Sequence, residues 1–294
     1  MSIVENAIEK TRANQRKGQP SRRASDAAAE RSAGRTRLAA AIDPSVRMRG
    51  APAALNIEQC RERRVLLQRT DENDGSAVAA YRMLRTRLLH RARIAQWTTI
   101  AVTSAGPNDG KTLTTLNLAL SMAREKSREI VLLDMDMRNP SICRTLGVEP
   151  PHELRHYLEQ GTNGNEMFLS VYSENLMVAG SITSTEHASE LLGSERFDEL
   201  IQLIKQGAVD PIILIDLPPV LLTDDALVVA PKVDALLVVA SDGLTEQSDL
   251  GKALDMLKEF PIAGVVLNRV SETMPAYDYG YDYHDRKSGN GRGD

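Results

Sequence analysis

The chain has 294 residues, 4% of them aromatic, and a net charge of −4 that conceals a basic amino-terminal part, since residues 1–70 hold 15 Lys/Arg and 7 Asp/Glu. Its two cysteines, Cys60 and Cys143, lie in unlike contexts, which argues against a disulfide framework and favours a reducing compartment. No apolar stretch approaches the roughly 18–20 residues of a membrane span, and the amino terminus lacks the apolar core of a secretory signal, so we expect a cytoplasmic protein.

The amino-terminal part divides into two predicted segments. Residues 1–16 have the pattern of a short amphipathic helix, because Ser2 and Glu5 have capping-box spacing and a small apolar face begins at Ile3. Residues 17–75 are rich in Ser, Arg, Ala, Gly and Pro without clear periodicity, so we predict a mostly disordered basic linker. A basic arm of this kind can meet anionic lipid or nucleic acid; we expect no nucleic acid partner.

Residues 76–270 have the pattern of one α/β domain. Apolar, β-rich runs predict strands at 98–103, 129–134, 175–179, 211–216, 234–240 and 262–268. Helical spacing predicts helices at 76–93, 111–126, 194–206 and 246–259, with short helices within 141–193. The strand runs are nearly continuous rather than alternating, as in strands that are covered on both faces. We therefore predict a mostly parallel sheet flanked by helices on both faces.

A phosphate-binding loop follows the first strand of this domain. Residues 105–112 read AGPNDGKT and match the P-loop template, except that Ala105 replaces the first glycine. In such a loop the backbone amides face the phosphates, the lysine neutralises their charge, and the threonine hydroxyl ligates Mg²⁺. The helix that follows presents its positive end to the anion. The residues that we predict to bind a nucleoside triphosphate are Gly106, Pro107, Asn108, Asp109, Gly110, Lys111, Thr112 and Leu113.

Carboxylates end two further strands at the same edge of the sheet. Asp216 closes the run IILID, while Asp134 and Asp136 begin the segment DMDMR after a second apolar run. Alternation along an extended chain would place these last two and Arg138 on one side. We predict that one carboxylate accepts the proton of an attacking hydroxyl, and that Thr112, Asp134 and Asp216 bind Mg²⁺.

Residues 271–294 lack a core pattern, and we predict a flexible tail. Four of the seven tyrosines of the chain fall within seven residues of this tail, as Tyr277, Tyr279, Tyr281 and Tyr283. Hydroxyl nucleophiles on a mobile acidic segment are sensible substrates for phosphoryl transfer. We therefore predict that these four tyrosines are phosphoacceptors.

The loop, the two acidic strand ends and the tyrosine tail, taken together, resemble the bacterial tyrosine kinases, the cytoplasmic kinases of capsule and exopolysaccharide export. Members of that family have a P-loop NTPase fold like that of the MinD/ParA ATPases, and the resemblance covers roughly residues 76–285. It implies ATP and Mg²⁺ as cofactors, and phosphorylation of the tail by a neighbouring subunit. It also places Asn268 where relatives contact the adenine and Asp225 at an acidic position after the Pro-Pro turn. The implied catalytic residues are Lys111, Asp134, Asp136 and Asp216.

The resemblance also implies partners and a location. A separate membrane polysaccharide co-polymerase is expected to activate the kinase and to recruit it to the inner face of the cell membrane. Further copies of the chain are expected as a homo-oligomer, and a tyrosine phosphatase is expected to reverse the modification. The oligomeric state stays open, because Ala79 replaces the glutamate of the family's subunit-contact motif, in which Arg82 and Arg85 are retained.

Two other functions compete with the tyrosine autokinase. One is a MinD/ParA-like ATPase switch without protein kinase activity, but those ATPases have a second lysine five residues before the loop lysine, where this chain has Gly106. The other is a nucleotide-binding regulator without catalysis. The complete set of Asp134, Asp136 and Asp216 argues against that reading, and the tyrosine tail argues for the kinase.

Overall fold

The computed structural model describes residues 48–67, 75–161, 164 and 166–270. The predicted helix at 1–16 and the tail at 271–294, with its four tyrosines, lie outside the described residues. The described part contains one sheet of eight strands with helices on both faces.

The strands are β1 (Ala51–Pro52), β2 (Thr99–Ser104), β3 (Ile130–Asp134), β4 (Leu169–Ser170), β5 (Leu176–Ala179), β6 (Ile212–Asp216), β7 (Ala235–Ser241) and β8 (Ile262–Asn268). Their order across the sheet is β1-β4-β5-β3-β6-β2-β7-β8. All neighbouring pairs are parallel except β4 and β5. The prediction of a mostly parallel sheet is confirmed. The ends of β2, β3 and β6 therefore meet at one edge, where β2 leads into the phosphate loop.

The helices are α1 (Ile57–Glu62), α2 (Gly75–Ala95), α3 (Lys111–Met122), α4 (Ile142–Leu146), α5 (Leu154–Gln160), α6 (Ala188–Gly193), α7 (Glu195–Gly207), α8 (Asp225–Val229) and α9 (Gln247–Met256). Each predicted long helix is present, and α4, α5 and α6 are the short helices expected within 141–193. No helix in the described ranges is both long enough and apolar enough to span a lipid bilayer.

Alternate residues of one strand enter two different hydrophobic cores. In β3, Val131 packs in the core that contains Phe197 of α7, whereas Ile130 packs in the core that contains Leu116 of α3. All five residues of β3 are buried, and each such apolar side chain contributes about 1.5–3 kcal/mol when it leaves water. Coverage on both faces explains why the strands are apolar throughout, and it holds the strand ends rigidly at the edge that carries the site.

Residues 48–67, here called the strap, correct the linker prediction. The prediction that residues 17–75 are mostly disordered is wrong for this stretch, which forms β1 and α1 and lies against the domain. Cys60 is fully buried beside α4. At the end of the strap, the Asn117 side chain of α3 accepts the backbone N–H of Leu66 at 2.9 Å. The strap is therefore part of the folded domain and contacts the helix that follows the phosphate loop.

The two outer edges of the sheet differ in their hydrogen-bonding groups. In β1, the backbone N–H groups of Ala51 and Ala53 donate inward to the carbonyl oxygens of Phe168 (2.8 Å) and Ser170 (3.0 Å). Pro52 lies between them at the position whose nitrogen faces outward. At the opposite edge, β8 is buried at its start and partly exposed from its third residue onward.

Candidate active site

The phosphate loop joins β2 to α3 through two residues with left-handed backbone conformation. Asn108 has φ +63° and Gly110, which precedes α3, has φ +84°. A side chain at Gly110 would overlap the amide of Asn268 at the end of β8. Glycine is thus required there by conformation and by space, and the loop is packed against the end of β8.

Asp109 organises the loop from within. It is 2% exposed, and its carboxylate accepts the backbone N–H of Gly106 at 3.0 Å and the hydroxyl of Thr245 at 2.6 Å. The Asn268 side chain donates to the Asp109 carbonyl oxygen at 2.9 Å. Asp109 and Asn268, which we predicted as nucleotide contacts, both hold the loop backbone in this structure.

Lys111 lies between two carboxylates. Its Nζ is 2.7 Å from Asp136 Oδ2 and 3.6 Å from Asp216 Oδ2. Burial alone would lower the pKa of Lys111, but the negative charges of Asp216 and Asp136 outweigh burial and raise the pKa. Lys111 is therefore held as a cation between two carboxylates, and its ammonium group can move from them to a bound phosphate.

Two threonines of α3 bind the carboxylate of Asp216. The Thr112 hydroxyl donates to Asp216 Oδ2 at 2.6 Å, and the Thr115 hydroxyl lies 3.2 Å from Oδ1 and 2.7 Å from the Lys111 carbonyl oxygen. Asp216 is fully buried, and burial is the largest cause that raises its pKa. The first turn of α3 and the end of β6 are thus fastened together at the phosphate loop.

Asp134 is opposite Asp216 on the neighbouring strand. Its Oδ2 accepts the backbone N–H groups of Ser141 (2.8 Å) and Ile142 (2.9 Å), whereas its Oδ1 is buried and has no hydrogen-bond partner. Burial first, and then the negative charge of Asp216, raise the pKa of Asp134 to about 7. One oxygen of this carboxylate is structural, and the other is available for chemistry.

These oxygen groups fit a hard divalent cation. An unsatisfied, buried carboxylate oxygen on Asp134 lies near the site of a second carboxylate and the Thr112 hydroxyl, and oxygen donors of this kind are those that Mg²⁺ prefers. The described part of the chain holds no group of three or more His, Cys, Asp or Glu side chains that would form a metal cage. Mg²⁺ is usually bound through one or two carboxylates and the substrate phosphates.

Arg138 does not join these residues, so the prediction that it shares a side with Asp134 and Asp136 is wrong. β3 ends at Asp134, and the chain then turns, as the backbone hydrogen bond from Asn139 N–H to the Asp136 carbonyl oxygen (3.0 Å) indicates. The Arg138 guanidinium instead pairs with the buried carboxylate of Asp225 at 3.1 Å. The alternation of side-chain directions applies only within a strand, so it does not predict the direction of a side chain beyond the end of the strand.

Two site residues were missed in the sequence. Thr115 is one turn after Lys111 and three positions after Thr112 on the same helix, so helical spacing would have placed it on the same face. Thr245 gave no such signal, because it follows β7 and meets the loop only in the folded chain. The predicted phosphoacceptor tyrosines lie beyond the described residues.

The chain is similar to a known protein family, to a tyrosine kinase of known sequence and to two solved structures. The ParA family model, described as "NUBPL iron-transfer P-loop NTPase", matches residues 96–290. The chain is 32% identical over 184 residues to tyrosine-protein kinase CpsD of Streptococcus pneumoniae. This alignment covers 60% of this chain and 78% of CpsD. The kinase domain of Escherichia coli tyrosine kinase ETK superposes with a TM-score of 0.64 at 26% identity, over 81% of this chain and 94% of that domain. MinD of Pyrococcus horikoshii, complexed with Mg-ADP, has a TM-score of 0.51 at 23% identity, over 60% of this chain and 72% of MinD, and shares the fold.

Proposed function

The chain belongs to the bacterial tyrosine kinases and, by its fold, to the ParA-type P-loop NTPases; from that premise we propose that it transfers the γ-phosphate of ATP to the tyrosines of its own tail. The phosphoacceptors are Tyr277, Tyr279, Tyr281 and Tyr283. The observation that carries the proposal is the cluster around Lys111, in which a nucleotide loop meets buried carboxylates, one of which has an oxygen without a hydrogen-bond partner.

Each residue of the cluster has a distinct task in this proposal. Lys111 leaves Asp136 for the β- and γ-phosphates and offsets their charge as the bond to the leaving group breaks. Mg²⁺, when bound, supplies further charge neutralisation at the phosphates, and Thr112 and Asp216 would hold it. Asp134 Oδ1 accepts the proton of the attacking tyrosine.

Transfer to a neighbouring molecule is part of the proposal. The tail follows β8, which ends at Asn268 beside the phosphate loop, so the described part of the chain ends close to the donor site. Two molecules that meet through this edge can exchange tails.

Mixing two forms of the chain tests transfer and acceptors together. Lys111→Ala protein, with an intact tail and a mass tag, is incubated with wild-type protein and Mg-ATP, and phosphate is mapped by mass spectrometry. Phosphotyrosine on the tagged tail supports transfer between molecules, while phosphate only on the untagged chain refutes it. The variant with all four tail tyrosines changed to Phe is the control, and its tail should stay unlabelled. Phosphate on Ser or Thr alone would contradict the acceptor assignment, and ATP turnover without phosphoprotein would favour an ATPase switch.

We further propose that this kinase regulates exopolysaccharide or capsule polymerisation and export from the inner face of the cell membrane. A membrane polysaccharide co-polymerase would recruit and activate it, homo-oligomers would assemble there, and a tyrosine phosphatase would reset the tail. The resemblance to the kinase family and the basic residues before the strap support this, since each Lys or Arg held near anionic lipid contributes about 1 kcal/mol.

Deletion of residues 1–47 tests the recruitment. It leaves the strap in place, so ATP binding should stay unchanged while co-sedimentation with anionic vesicles, or with membranes that hold the activator, falls. Equal membrane association of the truncated and full chains would place the contact in the kinase domain.

A further inference from the structure

We propose that Asp225, Ser189 and Arg138 form a clamp that positions Asp136 for catalysis. The clamp acts on the turn after β3, two residues beyond the carboxylate that holds Lys111. In this proposal Arg138 supports the turn that carries Asp136, and it makes no contact with phosphate. The proposal rests on the kinase function given above and adds positioning residues to it.

All three nitrogen atoms of the Arg138 guanidinium have partners within the chain. Nε donates to Asp225 Oδ2 at 3.1 Å, Nη2 lies 3.4 Å from Asp225 Oδ1 and 3.2 Å from Ser189 Oγ, and Nη1 donates to the Glu186 carbonyl oxygen at 3.2 Å. The fork of an arginine paired with both oxygens of a carboxylate fixes orientation as well as distance. A phosphate contact by Arg138 would require this arrangement to break.

The partner carboxylate is buried, which makes the pair hard to separate. Asp225 is fully buried at the start of α8. The Ser189 hydroxyl of α6 lies 2.7 Å from Asp225 Oδ1 and 2.7 Å from Asp224 Oδ1. Arg138 is partly exposed, but removal of its guanidinium leaves the buried carboxylate of Asp225 uncompensated. The three residues therefore join α6, α8 and the turn after β3 into one unit.

The electrostatic surroundings of Arg138 also point away from a phosphate. The hydrogen bond to Asp225 is the largest cause that raises its pKa, and the negative charges of Asp224 and Glu190 act in the same direction. An arginine among three acidic residues is already neutralised and presents little net charge to an anion. Lys111 is the cation that the loop itself supplies.

The turn itself connects the clamp to Asp136. The Asn139 N–H donates to the Asp136 carbonyl oxygen (3.0 Å) and to its Oδ1 (3.2 Å), while the Met137 carbonyl oxygen accepts the N–H of Thr185 at 2.9 Å. Asp136 Oδ2 is left to bind Lys111 Nζ at 2.7 Å. Arg138, the residue after Met137, is held by the clamp. Loss of the clamp therefore frees the turn on the side that faces α8. Misplacement of Asp136 then moves a carboxylate of the catalytic cluster, while the phosphate loop that binds ATP is left in place.

The experiment compares turnover with nucleotide affinity in Asp225→Asn, Arg138→Ala and the double Arg138→Ala, Asp225→Ala protein. Because a small displacement of a catalytic group costs up to about 100-fold in rate, we expect kcat to fall about 10- to 100-fold in each single variant. The KM for ATP and the Kd of a fluorescent ATP analogue should change less than about threefold, as expected when an interaction acts only on turnover. The double variant should lose no more than the worse single variant, since the residues act as one unit.

Matched controls keep the test decisive. Asp198→Asn breaks a surface ion pair with Lys232 (3.0 Å) on α7, and it should leave kcat unchanged. If a single variant does not fold by thermal unfolding, the volume-matched pair Arg138→Met, Asp225→Leu removes both charges together and takes its place.

The outcomes separate the clamp from the function. Turnover is followed both as ATP consumption and as tail phosphotyrosine, so absence of tail labelling in wild-type protein overturns the acceptor assignment while ATP consumption still judges the clamp. A tenfold or larger rise in KM and Kd with normal kcat in Arg138→Ala would show a phosphate contact and overturn the clamp. Unchanged kcat in all variants would overturn it as well.

Discussion

Replacement of Asp134 by Asn should stabilise the nucleotide-free protein and inactivate it. The amide oxygen of Asn can accept the N–H groups of Ser141 and Ile142 in place of Oδ2, so the shape of the site is kept. What disappears is a charge that is buried beside the carboxylate of Asp216. The substitution therefore isolates the energetic cost of ionising Asp134 inside the fold.

The size of this cost follows from the raised pKa. Asp134 titrates at 3.8 in the reference state and at about 7 in the fold, and at about 1.36 kcal/mol for each pH unit the difference corresponds to about 4 kcal/mol. Between these two values the folded protein binds more protons than the unfolded chain, so stability falls as pH rises. The loss is complete above about pH 7, and Asp216 contributes with the same sign.

Urea unfolding in EDTA at about pH 5 and pH 8.5 measures the effect, with the unfolding free energy extrapolated to water. Between the two conditions, which include about two of the three pH units of the shift, the wild-type protein should lose about 2–3 kcal/mol more than Asp134→Asn. Asp255→Asn, a change at an exposed position on α9, is the matched control and should follow the wild type. Equal or lower stability of Asp134→Asn at the higher pH would refute the reasoning, as would near-normal tail phosphorylation by this variant.

Three further predictions concern the loop and the tail. Lys111→Ala should abolish phosphate incorporation, because its ammonium group acts on the phosphates; the variant should still fold but melt at a lower temperature, since Asp136 and Asp216 lose their counter-charge; a labelled tail in this variant alone would contradict the role on the phosphates. Thr245→Val removes the hydroxyl from buried Asp109, and loss of a hydrogen bond to a charged group, about 1.5–3 kcal/mol, should raise the KM for ATP about tenfold or more; an unchanged KM would show that the loop holds without it. Phosphorylation should loosen self-association, because each phosphotyrosine adds about −1.5 to −2 charges to an acidic tail; sedimentation of both forms at equal concentration tests this, and identical assembly states would count against it.

The sheet and the centre of the site were predictable because their signals are local. Strands covered on both faces are apolar at every position, and the loop ending in Lys111 and Thr112 is a contiguous motif. Asp134 and Asp216 are the last residues of β3 and β6. The structure brings these side chains to one place, as parallel strand ends require.

The rest could not be read locally. The strap buries Cys60, Val65 and other apolar side chains that are scattered among arginines and follow no period, so composition indicated disorder. Arg138 was misplaced because its direction depends on where β3 ends, and its partner Asp225 is 87 residues away in the sequence. The link between Asp109 and Thr245 likewise joins distant segments. Contacts of this kind depend on tertiary packing, which no window of the sequence contains.

Pro52 makes the two outer strands of the sheet unequal in their ability to pair with a further strand. In a strand, successive N–H groups point to opposite sides. The N–H groups of Ala51 and Ala53 point towards β4 and are hydrogen-bonded there. A strand that paired with the outer side of β1 would therefore need an N–H group at position 52. Proline has no N–H to donate, and such residues protect sheet edges against further pairing. A strand that pairs with β1 would therefore lack one backbone hydrogen bond, whereas β8, at the other edge of the described sheet, contains no proline. Pairing with another strand is thus less favourable at β1 than at β8, the strand that precedes the tyrosine tail.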